Sequence, residues 1–592
     1  RRGDESEARE HAERGDAGDD ATTAERDTGR VAAHAGSLGR RVRVAGCRKS
    51  RGARLWAEGV CGRKVSVVSQ TESAPLFELD PQTRDRLIAV VGAEDALVSQ
   101  EDRDTYRDPF WLPGERSHDS SLVVFPESTD EVRELARIAN ETGTPLWVSS
   151  QGRNNGYGGP SPRVPGSVLV SLRKMNRVLE INRDLAYAVV EPGVTWFDLR
   201  EALDASGNED LWFSIPDLGW GSVIGNSLDN GMTYGPYGSD FQKLCGLEVV
   251  LADGDLLCTG FGAQDGNESW HVYPRGLGPV LDQLFMQSNY GIVTRAGIWL
   301  MRRPEAFAPL FLTIPRDAQL AAAVDAFREL RLDGVVRGVP TIQNLVTMSA
   351  QFPETRSLYL RADPAASEER LDELADSTGL GRWGARTALW GDRVVVEHHL
   401  ERIRRIWEEK VPGGRILNNR IYARDEWDQI ETFVDKVQAG IPSLDIIQAT
   451  PSNIGHIAFA PVLPLQGELL AENIRFFRDV TVREIGLNHV CALFLINDRS
   501  CVVVNSITFD VTDPETNRKA YDTVRTLIKE AGERGWAEYR AHVDLMDLAS
   551  EQLGFNDHAY RRFAERIKDA VDPNGILSPG RHGVWPSAAR ES

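Results

Sequence analysis

Several absences narrow the possibilities first. No stretch of the 592-residue chain approaches the roughly 20 consecutive apolar residues a membrane-crossing helix needs, and the N-terminus has no apolar run of the secretory kind. The expected location is therefore the cytoplasm, with no membrane partner. Cysteine is scarce: Cys47, Cys61, Cys245, Cys258, Cys491 and Cys501 are scattered without a CxxC or other metal spacing. That pattern excludes a disulfide framework and a zinc site, and predicts reduced thiols. Positive charge is short, with 68 Lys and Arg against 88 Asp and Glu and a net charge of −20, which argues against a nucleic-acid partner. Neither a helix-opening GxGxxG nor a Walker GxxxxGK[ST] occurs, so a nicotinamide Rossmann site and an NTPase site lack support. The last residues, Arg590-Glu591-Ser592, are no peroxisomal address, and no internal repeat is found.

What is present reads as a globular protein, with 41% hydrophobic and 26% charged residues, too long for one typical domain. Residues 1–68 differ from the rest, running from an acidic, Gly- and Ala-rich half to a basic half with few large apolar residues. Such a composition predicts disorder. It is read either as a basic interaction arm or as a non-native extension. No methionine precedes Met175, so translation is expected to begin at a non-Met codon near Val65, Val67 or Val68. From residue 122 the pattern becomes regular: a strand over 122–126, Thr129 as the N-cap of a helix over 131–140, and a strand over 145–148. Further strands are expected over 168–172, 186–190, 247–252, 292–301 and 454–460, with helices over 318–331 and 394–407. The mixture predicts an α+β architecture.

Three segments carry candidate chemistry. Residues 149–159, SSQGRNNGYGG, follow a strand, and such closely spaced glycines let backbone N–H groups cradle a phosphate. Alone, the segment reads equally as a surface turn. A second Gly-rich segment, IPDLGWGSVIGN at 215–226, precedes GMTYGPYG at 231–238. The third is GWAEYR at 535–540, where spacing alone suggests one core tyrosine and one solvated arginine on opposite faces of a strand.

Together with VVEPGV at 189–194, SNYGIVT at 288–294, GHIAFAP at 455–461 and VDPNGILSPG at 571–580, and in this order, these segments resemble the vanillyl-alcohol oxidase and eugenol oxidase family from about residue 80 to Pro586. The resemblance implies an FAD-binding domain in two stretches, 70–306 and 536–592, with 307–535 as an α/β cap. Cofactor contacts are then expected from Ser150, Gln151, Gly152, Arg153, Asn154, Asn155, Gly156 and Gly158, from Pro216, Gly219, Ser222 and Asn226, and from Gly291, Ile292, Val293 and Arg581. His456 matches the histidine that bonds the flavin covalently, a link that raises its redox potential and prevents its loss. Without that resemblance, His456 reads as a satisfied core histidine.

The resemblance also implies a catalytic set of Tyr157, Asp217, Tyr539 and Arg540. Two phenol hydroxyls and a guanidinium stabilise a phenolate, which pushes electrons toward the para carbon and lets hydride leave to give a para-quinone methide. Asp217 matches the family's acid or base, although an Asp after Pro is commonly a turn residue. Tyr234 falls on a pocket position. Ala458 and Ala492 are small where the family has bulkier residues, and predict a roomier pocket accepting syringyl-sized rings. The expected reaction is oxidation of a 4-alkyl, 4-allyl or 4-hydroxymethyl phenol with dioxygen reduced to hydrogen peroxide, by a homodimer or higher homo-oligomer. A para-cresol methylhydroxylase-type dehydrogenase passing electrons to a cytochrome is the near rival, although that relative usually links flavin through a tyrosine. A transferase of the alkyl-dihydroxyacetone-phosphate synthase type is the distant rival.

Overall fold

The computed structural model describes residues 76–111, 117–238, 243–350, 355–360, 364–448 and 453–590, all within one compact unit, Thr71–Ser592. The expectations for residues 1–68 lie outside the described residues, as do Cys47 and Cys61. Cys245, Cys258, Cys491 and Cys501 are free. Among the described residues no helix is long and apolar enough to cross a membrane.

The apolar runs Leu122–Val124 and Val168–Ser171 bury every residue, as parallel strands covered on both faces must. Leu122–Val124 and Leu146–Ser149 both pair in parallel with Val168–Ser171, and Ala96–Leu97 adds an antiparallel edge. The helix between the first two, Thr129–Thr142, begins earlier than the sequence suggested: Ser128, not Thr129, is its N-cap, its Oγ accepting from the Glu131 amide. The Thr129 hydroxyl instead donates to Glu248 at 3.0 Å. A five-stranded antiparallel sheet follows, in the order Val178–Asn182, Tyr187–Val190, Ile292–Trp299, Leu244–Val250, Leu256–Cys258.

From Ala306–Ile314 to Ser500–Asp510 the chain builds a nine-stranded sheet whose ladders are antiparallel. Its core cluster takes in Phe327 of Leu320–Leu332, Trp407 of Arg393–Lys410, Phe477 of Gly467–Ile485 and Leu527 of Pro514–Gly532. The architecture is α+β.

Two late segments tie these sheets together around one space. Residues 538–543 form a connector: Glu538 bridges Pro461, the Tyr539 amide donates to Ala460 O at 3.2 Å, and the Val543 amide donates to Tyr157 O at 3.1 Å. Further on, Leu146 donates to Ile576 O and accepts from the Ser578 amide, both at 2.7 Å, so the C-terminal stretch lies beside Leu146–Ser149.

Candidate active site

The Gly-rich loop leaves Leu146–Ser149 and turns through Gly152, Gly156 and Gly158, all at positive φ. Two of these glycines are also fixed by close approach. A Cβ on Gly156 would stand 2.6 Å from His456 Nε2, and one on Gly158 would stand 2.3 Å from Val543 Cγ1. The loop is thus pressed against the strand Ile454–Phe459 on one side and the 538–543 connector on the other. A Cβ on Gly225 would come within 2.1 Å of Ser150 Oγ, which brings the second Gly-rich segment to the same place. Ser222 Oγ accepts from the Gly225 amide and donates to Pro192 O at 2.6 Å.

These elements surround a cavity of about 1000 Å³. Of the residues singled out from sequence, Ser150, Gln151, Gly152, Arg153, Asn154, Asn155, Tyr157, Pro216, Asp217, Ser222, Asn226, Tyr234, Gly291, Ile292, Val293, His456, Tyr539, Arg540 and Arg581 all line it. Gly156 and Gly158 stand behind the lining, and Gly219 packs on Phe197 and Pro442. Ala458 and Ala492 are not brought to the cavity. Along Ile454–Phe459 the cavity face carries Ile454 and His456, and Ala458 lies buried opposite Ser506. Ala492 is buried opposite Val504 and Gln343, and Phe494, two residues on, supplies the lining side chain. Ala458 nevertheless shares the strand face of His456, and Ala492 that of Phe494, so each alanine lies one step along from a lining side chain.

Tyr539 and Arg540 do not alternate on a strand. They lie in a bend, and both turn into the cavity. The Arg540 guanidinium stands 4.1 Å from the Tyr157 ring centre and 5.5 Å from that of Tyr539, and its Nη1 is 3.3 Å from Asp229 Oδ2. Burial works to lower the Arg540 pKa, but Tyr539, Tyr157 and Asp229 outweigh it and the net direction is up, so the cation is locked in. Burial likewise pushes the Tyr539 hydroxyl well above its ordinary range, keeping it a proton donor. For Asp229, burial alone would raise the carboxyl, yet Arg540, His582 and Arg581 hold it far below the usual carboxylate range. A buried cation with two tyrosine side chains beside it is a receptor for an oxyanion.

Across the cavity, Tyr234 donates a 2.5 Å hydrogen bond to Asp217 Oδ2. Burial raises the Asp217 pKa, opposed by the charge of Arg386 and by the Tyr234 bond. This carboxyl therefore holds a proton more readily than an exposed one, which suits it to proton transfer. The His456 ring packs on Phe110 at 5.1 Å, and burial lowers its pKa, favouring the neutral imidazole. Asp229, Arg386, Gln287, Phe494 and His582 also line the cavity and were not foreseen. No motif carried them: each belongs to the site only through a distant partner, as Gln287 does in donating to Tyr539 O at 3.0 Å.

The site fits FAD on its own terms. Ser149 Oγ, Trp220 Nε1, Asp217 Oδ1 and Arg540 Nε are buried without a protein hydrogen-bond partner, and all four residues line the cavity. Arg153, stacked 4.1 Å over Trp220, and Arg173, donating to Gln151 O at 3.2 Å, gather positive charge at the Gly-rich loop, where a pyrophosphate would need it.

Residues 120–260 match the family model described as an FAD binding domain. Over 501 residues the chain is 31% identical to the 4-cresol dehydrogenase (hydroxylating) flavoprotein subunit of Pseudomonas putida, covering 84% of this chain and 94% of that one. The chain belongs to the vanillyl-alcohol oxidase and p-cresol methylhydroxylase family of flavoproteins. As a member of that family it is an FAD-dependent oxidoreductase. Two of the family's solved structures resemble it closely. A 4-ethylphenol oxidase from Gulosibacter chungangensis, in complex with isoeugenol, superposes with a TM-score of 0.79 at 34% identity, covering 86% of this chain and 98% of that one. Substrate-bound p-cresol methylhydroxylase gives 0.77 at 29% identity, covering 85% and 96%. Alkyldihydroxyacetonephosphate synthase, at 15% identity and a TM-score of 0.57, shares the fold alone.

Proposed function

We propose that this protein oxidises para-substituted phenols, holding them as phenolates, with FAD bonded to His456 and dioxygen as the final electron acceptor. The observation that carries this reading is the convergence of Arg540, Tyr157 and Tyr539, with the guanidinium 4.1 Å and 5.5 Å from the two ring centres and backed by Asp229. It is supported by the identity to relatives whose names are those of phenol-oxidising enzymes.

A phenol entering with its oxygen toward Arg540 loses its proton readily, because the cation and two hydroxyl donors stabilise the anion. The phenolate releases electron density to the para carbon, which lets the benzylic C–H bond break with its electron pair. FAD held by the Gly-rich loop and His456 would supply the two-electron oxidant for that hydride. The para-quinone methide left behind then takes up water at the benzylic carbon, or loses a proton to give an alkene. Asp217 is the group for these proton movements: it lines the cavity, and Tyr234 fixes its orientation by donating to Oδ2. Dioxygen would take the hydride's two electrons and proton together with the proton released by the phenol, giving hydrogen peroxide.

A dehydrogenase is the second reading, because the Pseudomonas putida relative bears that name over most of both chains. The test is peroxide release in air from the purified holoenzyme given vanillyl alcohol, eugenol and 4-ethylphenol, with benzyl alcohol as the control lacking a phenol hydroxyl. Peroxide from the phenols alone is the expected result. Anaerobic bleaching of the flavin by the phenols without peroxide in air would select the dehydrogenase. Absence of bleaching by any of them would overturn phenol oxidation.

A further inference from the structure

Arg386 sits in the middle of the strand Trp383–Gly391, in register with Thr341 and Phe311, and is only 8% exposed. A buried guanidinium ordinarily has a carboxylate against it, since an unpaired buried charge is costly. This one does not. Among the described residues its contacts are one hydrogen bond, from Nε to Thr341 Oγ1 at 3.3 Å, and the face of Tyr234, whose ring centre is 5.7 Å away. Among the described residues its two terminal nitrogens make no hydrogen bond, and Arg386 lines the cavity.

The nearby acids do not claim it. Asp217 and Asp435 lie within electrostatic range, but Asp217 accepts from Tyr234 and Asp435 accepts from Asn418 at 3.1 Å. Burial raises the pKa of both carboxyls, and the charge of Arg386 opposes that rise without a hydrogen bond to either. The other arginine at the substrate, Arg540, is by contrast paired with Asp229. Tyr234 links the two ends: it touches Arg386 and Asp217 and lies within electrostatic range of Tyr539. The lining also includes Phe433, Ile446, Ile447 and Phe494, apolar side chains suited to a hydrocarbon spacer.

We propose that Arg386 binds a carboxylate at the end of the substrate's para side chain, so that the preferred substrates are 4-hydroxyphenyl alkanoates and alkenoates rather than neutral 4-alkylphenols. The proposal rests on the phenolate reading of the same cavity. It adds a second anchor: Arg540 holds the phenol oxygen and Arg386 holds the acid, with the benzylic carbon between them.

The test pairs 3-(4-hydroxyphenyl)propanoate with 4-propylphenol, which differ in the terminal carboxylate, on the holoenzyme and on its Arg386→Gln and Arg386→Lys variants. The wild type is expected to favour the acid in kcat/KM by at least about tenfold, the scale of one charge-assisted contact. Arg386→Gln is expected to lower that preference about 10- to 100-fold, mainly through the KM of the acid, with Arg386→Lys in between. Equal or better use of 4-propylphenol by the wild type, or an equal loss on both substrates in Arg386→Gln, would overturn the proposal. A second readout separates this outcome from failure of the phenol reading. 3-Phenylpropanoate has the acid but no phenol oxygen and is titrated anaerobically against the flavin spectrum. If neither phenol is oxidised, the functional reading fails. The carboxylate site then still stands if 3-phenylpropanoate binds and Arg386→Gln abolishes the binding, and it falls if the variant binds as well as the wild type.

Discussion

Two opposite charges decide what the anion receptor can do. Arg540 is positive at every working pH because Tyr539, Tyr157 and Asp229 outweigh its burial, and Asp229 is negative because Arg540, His582 and Arg581 outweigh its own. Neutralising Arg540 removes the counter-charge of the proposed phenolate and strands Asp229. Arg540→Gln should therefore lower kcat/KM for phenols by about 10²- to 10³-fold, the cost of a lost oxyanion donor, and lower Tm as well. Steady-state rates with melting curves check both. Asp229→Asn isolates the partner. The Asp229 carboxyl is depressed on folding, so its contribution is full above its unfolded pKa of roughly 3.9 and is lost as pH falls through the lower folded value. The variant should melt below the wild type at pH 7, and the gap should narrow below about pH 4. A Tm difference constant from pH 3 to pH 8 would refute the assignment of that charge.

The Gly-rich loop is an element whose shape depends on having no side chains at two points. Gly156 combines a φ of +78° with a Cβ position 2.6 Å from His456 Nε2, so Gly156→Ala both strains the backbone and displaces the imidazole. Strain of about 1–3 kcal/mol is expected in stability. The covalent flavin proposed at His456, read as fluorescence on a denaturing gel, should fall toward the level of His456→Ala; retention at the wild-type level would show that the ring does not depend on this contact.

At this scale the sequence was informative wherever local rules operate. The apolar runs at Leu122–Val124 and Val168–Ser171, the glycines of the loop and the strand Ile454–Phe459 were all legible from composition and order. The N-cap was misplaced by one residue because Ser128 and Thr129 are chemically equivalent caps, and only the contact of Thr129 with Glu248 separates them. Alternation on a strand suggested opposite faces for Tyr539 and Arg540, whereas hydrogen bonds from the connector to Ala460 and Tyr157 bend it so that both face inward. Asp229 lay beyond any such rule, since its partner Arg540 is 311 residues away. Arg386 was hidden for the same reason: in sequence it is one more polar residue in a strand, and its neighbours Tyr234 and Asp217 belong to another part of the chain.

For the molecule as a whole, the site is only as intact as the attachment of its C-terminal stretch, which brings Arg581 and follows directly from Tyr539 and Arg540. That attachment turns on Lys568, which is fully buried with Nζ 2.6 Å from Asp572 Oδ2 and donates to the carbonyls of Asn289 and Leu577. Asp572 in turn accepts from the amides of Ile576 and Leu577, the residues that run beside Leu146. Lys568→Ala would leave a buried carboxylate and two carbonyls short of a donor, a loss of about 3–5 kcal/mol. Because Lys568 touches neither the Gly-rich loop nor Arg540, its removal should act on stability and cofactor retention together while sparing the phenol-binding chemistry of the molecules that remain folded. The expected signature is a clear drop in Tm with the KM for 4-ethylphenol close to wild type per bound flavin. Added free FAD should recover part of the Tm by mass action in apoprotein whose flavin has not become attached. Arg540→Gln differs in the catalytic readout, with poor catalysis per flavin that FAD does not restore. Wild-type Tm in Lys568→Ala would mean that contacts elsewhere along 546–590 hold the stretch in place, and that the buried pair is dispensable.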